Sequence, residues 1–286
     1  MSAGGTDSVA TSLRCPASHS FDIAKQGYVS LLDPRSAALR ADTAAMIAAR
    51  HRVHDAGFFT DLADDLADAA VDGVSWTPRR APGDRAEMPA ESVAPLIVDL
   101  GSGPGHYLRA ALRRVPGARG LGIDLSKYAA RAVARGEPAA GAIVADVWRE
   151  LPVRSGVADI ALSVFAPRNP DETARILRPG GRVVIVTPES DHLAEIVGAM
   201  GMLSVDKDKD DRLAAAMSDG FDLVDRHRVT WRHDADAALV ADLAGMGPAA
   251  FHRTPDEIAG AADRLAAGGT APVHGAVGVS VYRPRR

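Results

Sequence analysis

Three glycines, Gly101, Gly103 and Gly105, alternate with Ser102 and Pro104 just behind an acidic residue, Asp99. Such a turn lets a ligand approach the main chain without meeting a Cβ. Two further acids close apolar runs downstream: Asp124 ends Gly120-Leu121-Gly122-Ile123, and Asp146 ends Ala142-Ile143-Val144-Ala145. An acid at the tip of the second strand, about 20 residues past the turn, binds a ribose diol, and Asp146 stands where an adenine amino group would lie. The chemistry on offer is therefore the binding of a nucleoside. The dinucleotide fingerprint wants its third glycine where this chain has His106. Pro104 also removes an N–H that a pyrophosphate would seek at a helix start. S-adenosylmethionine has no phosphate and loses little by either departure. Taken singly, each of these features is also an ordinary strand-end turn or cap.

The elements that must position these residues follow from periodicity. Residues 96–100 are an apolar run broken only by Asp99, which reads as a buried parallel strand, and residues 106–112 have helical spacing. Strand, glycine turn and helix make the mononucleotide-binding half of a doubly wound α/β sheet. Residues 142–146 form the third strand and residues 158–165 the fourth, which ends in Ala166-Pro167-Arg168-Asn169-Pro170. A helix over 171–177, stopped by Pro179-Gly180-Gly181, precedes a fifth strand over 182–187 and a helix over 193–202. Residues 207–211 carry mixed charge and read as a solvated helix start. Residues 224–231 and 276–282 alternate as a final strand pair around a helix over 256–266. Strands alternating with helices argue for a parallel sheet.

The ordered trio of glycine turn, ribose acid and adenine acid resembles the class I methyltransferases. That resemblance implies an α/β, Rossmann-like, seven-stranded and mostly parallel sheet with helices on both faces. Its cofactor residues would be Asp99, Gly101, Ser102, Gly103, Pro104, Gly105, His106 and Tyr107 at the turn, Asp124, Leu125 and Ser126 after the second strand, and Asp146 and Val147 after the third. The carboxyl end of the fourth strand flanks the ligand crevice. Phe165 is therefore expected beside the cofactor, Arg168 beside the substrate, and the Asn169 side chain or the Ala166 carbonyl orienting the acceptor.

Composition sets bounds. A chain of 286 residues suits one large or two small domains, and 47% hydrophobic with 24% charged residues is usual for a soluble globular protein. One cysteine excludes an internal disulfide and fits a reducing cytoplasm. No run approaches the roughly 18 apolar residues of a membrane span, and the N-terminus lacks a signal-peptide core. The net charge of −4 does not advertise a nucleic-acid binder, so an RNA substrate would need a local basic face. Arg50, Arg52, Arg79, Arg80, Arg85, Arg109, Arg113, Arg114 and Arg119 would have to build it; otherwise they are scattered solubilising charges.

Residues 1–12 are small and polar and read as unstructured. Residues 42–57 read as a helix with Asp42 as its cap, Gly57 at the left-handed C′ position and Met46, Ala49 and Val53 as its apolar stripe. A second helix covers 61–71, and residues 73–94 form a Pro/Gly/Arg-rich linker. Cys15 and His19 have the spacing of half a zinc site, but a structural site needs four ligands.

Residues 15–32 match the signature C-P-x-x-H-x-F-D-x-A-x-x-G-Y-V-x-L-L at every position. Residues 42–50 match D-x-x-x-M-x-x-A-R, residues 187–193 match T-P-x-x-x-H-L, and residues 246–252 match M-G-P-x-x-W-H with Phe251 in the aromatic place. These stretches resemble the 23S ribosomal RNA guanine-N1 methyltransferases of the RlmA/TlrB type. The resemblance implies an N-terminal recognition module over 1–40, a helical segment and linker over 41–94, and a methyltransferase domain over 95–286. It implies that Phe59 and His192 reach the cofactor, that Arg50 and Phe251 face substrate, and that Phe251 stacks on a base. Core packing for Phe58, Phe59 and Phe251, and a plain helix-start role for His192, are the alternatives. The family's zinc module has an earlier cysteine pair absent here, so Cys15 and His19 look like remnants and zinc is not expected.

The function implied is methyl transfer to N1 of a guanine in the hairpin 35 loop of 23S rRNA, with macrolide (tylosin-type) resistance in the TlrB branch. The implied partner is that rRNA; a homodimer is left open. A small-molecule methyltransferase and a non-catalytic S-adenosylmethionine-binding RNA-binding protein are the competing readings.

Overall fold

The computed structural model describes residues 11–15, 17–32, 39–74, 94–204 and 209–285. The apolar run at 96–100 becomes β4 (Leu96–Leu100), the inner strand from which the sheet is wound. It pairs in parallel with β5 (Arg119–Asp124) on one side and β7 (Ala158–Val164) on the other. Beyond β5 lie β6 (Ala140–Val144) and the short β3 (Val29–Ser30); beyond β7 lie β8 (Leu177–Pro188), β10 (Ala271–Pro284) and β9 (Phe221–Ala235). The strand order is β3-β6-β5-β4-β7-β8-β10-β9, parallel from β3 to β8 and antiparallel at the last two pairings. Chain direction across the sheet reverses between β4 and β7, so the ligand crevice opens at their carboxyl ends.

Period-two alternation sorts the core. Ile97, Ile160, Leu162, Val184 and Val186 face one layer, and Val98, Leu100, Ala161, Val183 and Ile185 face the other. The first layer is covered by α2 (Thr60–Val71), α3 (His106–Arg114), α6 (Ala194–Met200), α8 (Ala237–Gly245) and α9 (Pro255–Ala266), which share its cluster of buried side chains. α5 (Pro170–Ile176) and α7 (Lys209–Met217) cover the second. α1 (Ala44–Asp55) packs on α8 and α4 (Lys127–Gly136), bringing its polar face over the glycine turn.

The fold class is the one expected, with one strand more than the seven. Val29 and Ser30 pair with Ile143 and Val144, so the N-terminal segment supplies an edge strand to the main sheet. Ser12 opens an antiparallel pair, β1 (Ser12–Arg14) with β2 (Ser20–Asp22), where residues up to 12 were expected to be unstructured. Thr43, and not Asp42, caps α1: its hydroxyl accepts the Met46 N–H. Pro179, Gly180 and Gly181 lie within β8 and do not stop α5, which ends at Ile176 as the chain turns extended at Leu177. Most of the linker with Arg79, Arg80 and Arg85, residues 1–10, and Lys207 with Asp208 lie outside the described residues.

Candidate active site

All three turn glycines adopt positive φ, +74° at Gly101, +50° at Gly103 and +79° at Gly105. A Cβ on Gly101 would stand 2.6 Å from the Ala166 Cβ, so the loop after β7 closes directly on the turn. Asp124 ties the turn to the next strand tip. Its Oδ2 accepts the Gly103 N–H at 2.8 Å and its Oδ1 the Ser126 N–H at 2.7 Å. Burial raises its pKa, and the two N–H donors pull the other way. Ser126 caps α4 and gives its hydroxyl proton to the Asp42 carbonyl at 2.7 Å.

Around this turn lie buried polar atoms with no hydrogen-bond partner among the described residues: Asp99 Oδ2, Ser102 Oγ and the Tyr107 hydroxyl. Burial, followed by the charge of Asp124, pushes the Asp99 carboxyl up to about 8. Burial also pushes the Tyr107 phenol up. Buried polar groups are nearly always paired, so a cluster of orphans beside a bare glycine turn is a cradle awaiting a polar ligand. It fits S-adenosylmethionine: Asp124 for the ribose, and Asp99, Ser102 and Tyr107 for the charged amino-acid end.

α1 roofs the turn. Arg50 pairs with Asp42 at 2.6 Å, donates from Nε to the Met246 carbonyl at 3.1 Å, and lies 3.1 Å from where a Cβ on Gly103 would be. It was expected on the substrate side, and the packing of α1 sets it beside Gly103 of the turn. His54 stacks on His106, with centroids 3.9 Å apart and planes at 5°, while His51 Nδ1 meets His106 Nε2 at 3.1 Å. Burial lowers all three, His54 to about 3, and Arg109 reinforces the shift.

The far wall is aromatic. Phe59 is buried, with its ring 6.0 Å from Phe165, 5.7 Å from Trp231 and 5.2 Å from His54. Phe165, at φ +52°, is 41% exposed at the end of β7, a strained and solvent-facing position for a large apolar ring. His192 lies 5.7 Å from Phe165 and 6.1 Å from Trp231. Its Nδ1 accepts the Ala276 N–H at 3.1 Å, so the neutral ring carries its proton on Nε2. The structure thus unites Phe59, Phe165 and His192. Trp231 was read only as a strand residue; its one sequence signal is an aromatic in an otherwise polar stretch of β9.

Other expectations are placed elsewhere. Asn169 caps α5 through Oδ1 and donates to the Val147 and Arg149 carbonyls at 3.3 and 3.1 Å. Its side chain therefore joins the loops after β6 and β7 instead of standing ready for an acceptor. Asp146 accepts the Trp148 N–H at 3.0 Å; Val147 is buried, Leu125 and Arg168 are half-buried. Pro104 gives its carbonyl to Arg109 at 3.0 Å. The Arg40 guanidinium lies 4.7 Å over the Phe251 ring, occupying one stacking face. Among the described arginines, Arg52 pairs with Asp242 and Arg114 with Asp68, whereas Arg50 and Arg109 both act on His54. Cys15 Sγ lies 3.4 Å from His19 Nδ1, but the chain has a single cysteine, and no group of three or more metal-binding side chains gathers among the described residues. Four zinc ligands are not at hand, and the donor set does not fit a zinc ribbon.

Comparison with known proteins agrees with this geometry. Residues 7–35 match the family model described as RlmA, N-terminal, and residues 97–181 match a methyltransferase domain. A Streptomyces fradiae protein named 23S rRNA (guanine(748)-N(1))-methyltransferase is 46% identical over 249 residues, 86% of this chain and 82% of its own length. A Micromonospora griseorubida protein, provisionally named for 23S rRNA guanine-N(1) methylation, is 42% identical over 95% of this chain and 90% of its own. A shorter likeness, 42% over 74 residues and 25% of each chain, is to a Streptomyces pristinaespiralis 4-amino-L-phenylalanine/4-methylamino-L-phenylalanine methyltransferase. No helix among the described residues is long and apolar enough to cross a membrane. With the glycine cradle, its two strand-tip acids and identity along most of its length, the chain belongs to the family of S-adenosylmethionine-dependent 23S rRNA guanine-N1 methyltransferases.

Proposed function

We propose that the protein methylates N1 of a guanine in the hairpin 35 loop of 23S rRNA, the nucleotide numbered 748 in the name of its Streptomyces fradiae relative, and so confers macrolide (tylosin-type) resistance. The observation that carries this reading is the exposed Phe165 ring at the end of β7, 5.7 Å from His192 and one residue before Ala166, which closes on Gly101 of the turn. A flat base inserted there would meet ring faces on one side and the cofactor turn on the other. Guanine N1 is hidden in a Watson–Crick pair, so the substrate is a loop nucleotide or one turned out of its stack.

S-adenosylmethionine, when bound, supplies an electrophilic methyl whose leaving sulfur needs no acid. The chain's own work is alignment and proton handling. Burial of Phe59 and Trp231 keeps water from the methyl path, and the aromatic wall fixes the plane of the base. Guanine N1 carries a proton at neutral pH that must leave. That proton is released to solvent water, and the Ala166 carbonyl, in the loop that closes on Gly101, is assigned to orient the N1–H without acting as the base. His192, held by the Ala276 N–H beside Phe165 and Trp231, is assigned to the cofactor side of the site. Asn169 holds this loop in place and touches no reacting atom. Arg168 and Phe251 are assigned to the flanking RNA. The division at residues 40 and 94 is retained as recognition module, connecting segment and catalytic domain. The rRNA substrate puts the site of action in the cytoplasm, and a homodimer is read by sedimentation.

One observation favours a second reading, methylation of a small molecule: Arg52 and Arg114 are engaged in ion pairs with Asp242 and Asp68. Incubation with labelled S-adenosylmethionine and either protein-free 23S rRNA or a cell metabolite extract separates the two. Label in the RNA supports the first reading; label only in the metabolites overturns it.

A further inference from the structure

The orientation of Arg50 goes further than the function just proposed, and it rests on the cofactor half of that reading. A guanidinium has five N–H donors in a rigid fork. Two of its nitrogens are committed: Nε to the Met246 carbonyl at 3.1 Å and Nη2 to the Asp42 carboxylate at 2.6 Å. The third, Nη1, is turned to the bare face of Gly103 and donates to no acceptor among the described residues. A Cβ on Gly103 would come within 3.1 Å of it, so the glycine leaves open the space into which this nitrogen points. The side chain is 29% exposed, neither sealed in the core nor waving in solvent.

Its neighbours sharpen the point. The Tyr107 hydroxyl is buried without an acceptor and lies close enough for the Arg50 charge to act on it. Asp99 Oδ2 is likewise buried without a partner on the same turn. An unspent donor on Arg50 at Gly103 thus lies near the unspent Tyr107 hydroxyl, which in turn feels the charge of Asp99. That is the complement of a zwitterionic amino acid, whose carboxylate seeks donors while its ammonium seeks an acceptor. The geometry points to Arg50 as the anchor of the α-carboxylate of the methyl donor, held in orientation by Asp42 and Met246 and assisted by the Tyr107 hydroxyl. The residue therefore reads the amino-acid end of the cofactor and takes no part in holding RNA.

The test separates the carboxylate from the rest of the ligand. Wild-type protein and R50M are titrated calorimetrically with S-adenosylhomocysteine and with its decarboxylated analogue, which differs only in lacking the carboxylate. Arg50→Met is expected to weaken S-adenosylhomocysteine about 10- to 100-fold, the loss of charge-assisted hydrogen bonds, and to leave the analogue unchanged. An equal loss for both ligands, or no loss for S-adenosylhomocysteine, overturns the proposal. Should R50M not fold by circular dichroism, R50K keeps the charge without the fork and must give the same ligand-dependent contrast at smaller size. A wild-type protein that binds neither ligand removes the cofactor reading itself, and this proposal with it.

Discussion

Trp231 on β9 and Gly275 on β10 are directly opposed in register, and the indole lies across the glycine so closely that a Cβ there would stand 2.1 Å from ring atoms Cε2 and Cζ2. The bare strand position is what lets the indole reach Phe58, Phe59 and His192. Gly275→Ala must displace the ring and with it the aromatic wall. It is expected to lower stability by about 1–3 kcal/mol, as overpacking does, and to reduce methyl transfer, read by urea unfolding and by turnover. Wild-type values for both would show that the indole does not brace the wall.

Gly101→Ala acts on the other side of the crevice. Its Cβ would fall 2.6 Å from the Ala166 Cβ at a φ of +74°, adding left-handed strain of about 1–2 kcal/mol to a steric clash. Affinity for S-adenosylhomocysteine should fall at least about tenfold, a free-energy loss of about 1.4 kcal/mol. Unaltered affinity would mean that the turn does not hold the cofactor.

Asp99 makes stability depend on pH. Burial, then the charge of Asp124, raises its carboxyl to about 8 in the fold, against about 3.9 in the unfolded chain. The folded state therefore holds an extra proton between these values, and stability falls as pH rises from about 4 to about 8. Asp99→Asn should flatten that slope in urea midpoints measured across the range. A slope identical to wild type would show that Asp99 is ionised in the fold.

The histidine stack under α1 has the opposite sign. His54 is lowered to about 3, first by burial and then by Arg109, Arg50 and His51; His106 is lowered further. Unfolding then takes up protons below about pH 6.5, so the stack loses stability on acidification. His274, raised chiefly by its hydrogen bond to Glu195, contributes stability that is full below about pH 6.5 and lost as pH rises through its raised pKa. His54→Phe, which keeps a ring over His106, should flatten the acid limb, and His274→Gln the limb above neutrality. Swapped effects on the two limbs would refute the assignment.

Asn169 separates holding from reacting. Asn169→Ala loses the α5 cap and both bridges to the loop after β6, and should cost about 1 kcal/mol of stability. Asn169→Asp keeps the cap acceptor but loses both donor bridges and sets a carboxylate against the Val147 and Arg149 carbonyls, so it should recover only part of it. A turnover defect in the Asp variant far larger than its stability defect would return Asn169 to the chemistry.

What could be read in the chain and what could not have a physical division. Buried parallel strands write themselves as unbroken apolar runs, and a turn that must accept positive φ declares itself by its glycines, so β4, the glycine turn and the strands that lead to Asp124 and Asp146 were legible. The RlmA-like stretches carried Phe59 and His192 into view. Relationships between distant segments were not legible. Nothing local to Asp42 says that Thr43 will take the cap and leave its carboxylate to Arg50. Nothing at Gly275 names Trp231, and the stack of His54 on His106 exists only because α1 packs over the turn. Asn169 was ambiguous for a related reason: a polar residue at a strand end suits chemistry and helix capping equally, and its bonds to the 147 and 149 carbonyls appear only in the fold.

The central claim, methylation at guanine N1, is tested most directly by reverse transcription through hairpin 35 of 23S rRNA after incubation with the protein and S-adenosylmethionine. A methyl on N1 removes the Watson–Crick face, so the account predicts a new arrest one nucleotide before guanine 748 that depends on both protein and donor. Full read-through of that loop by a protein that demonstrably binds S-adenosylhomocysteine would contradict it.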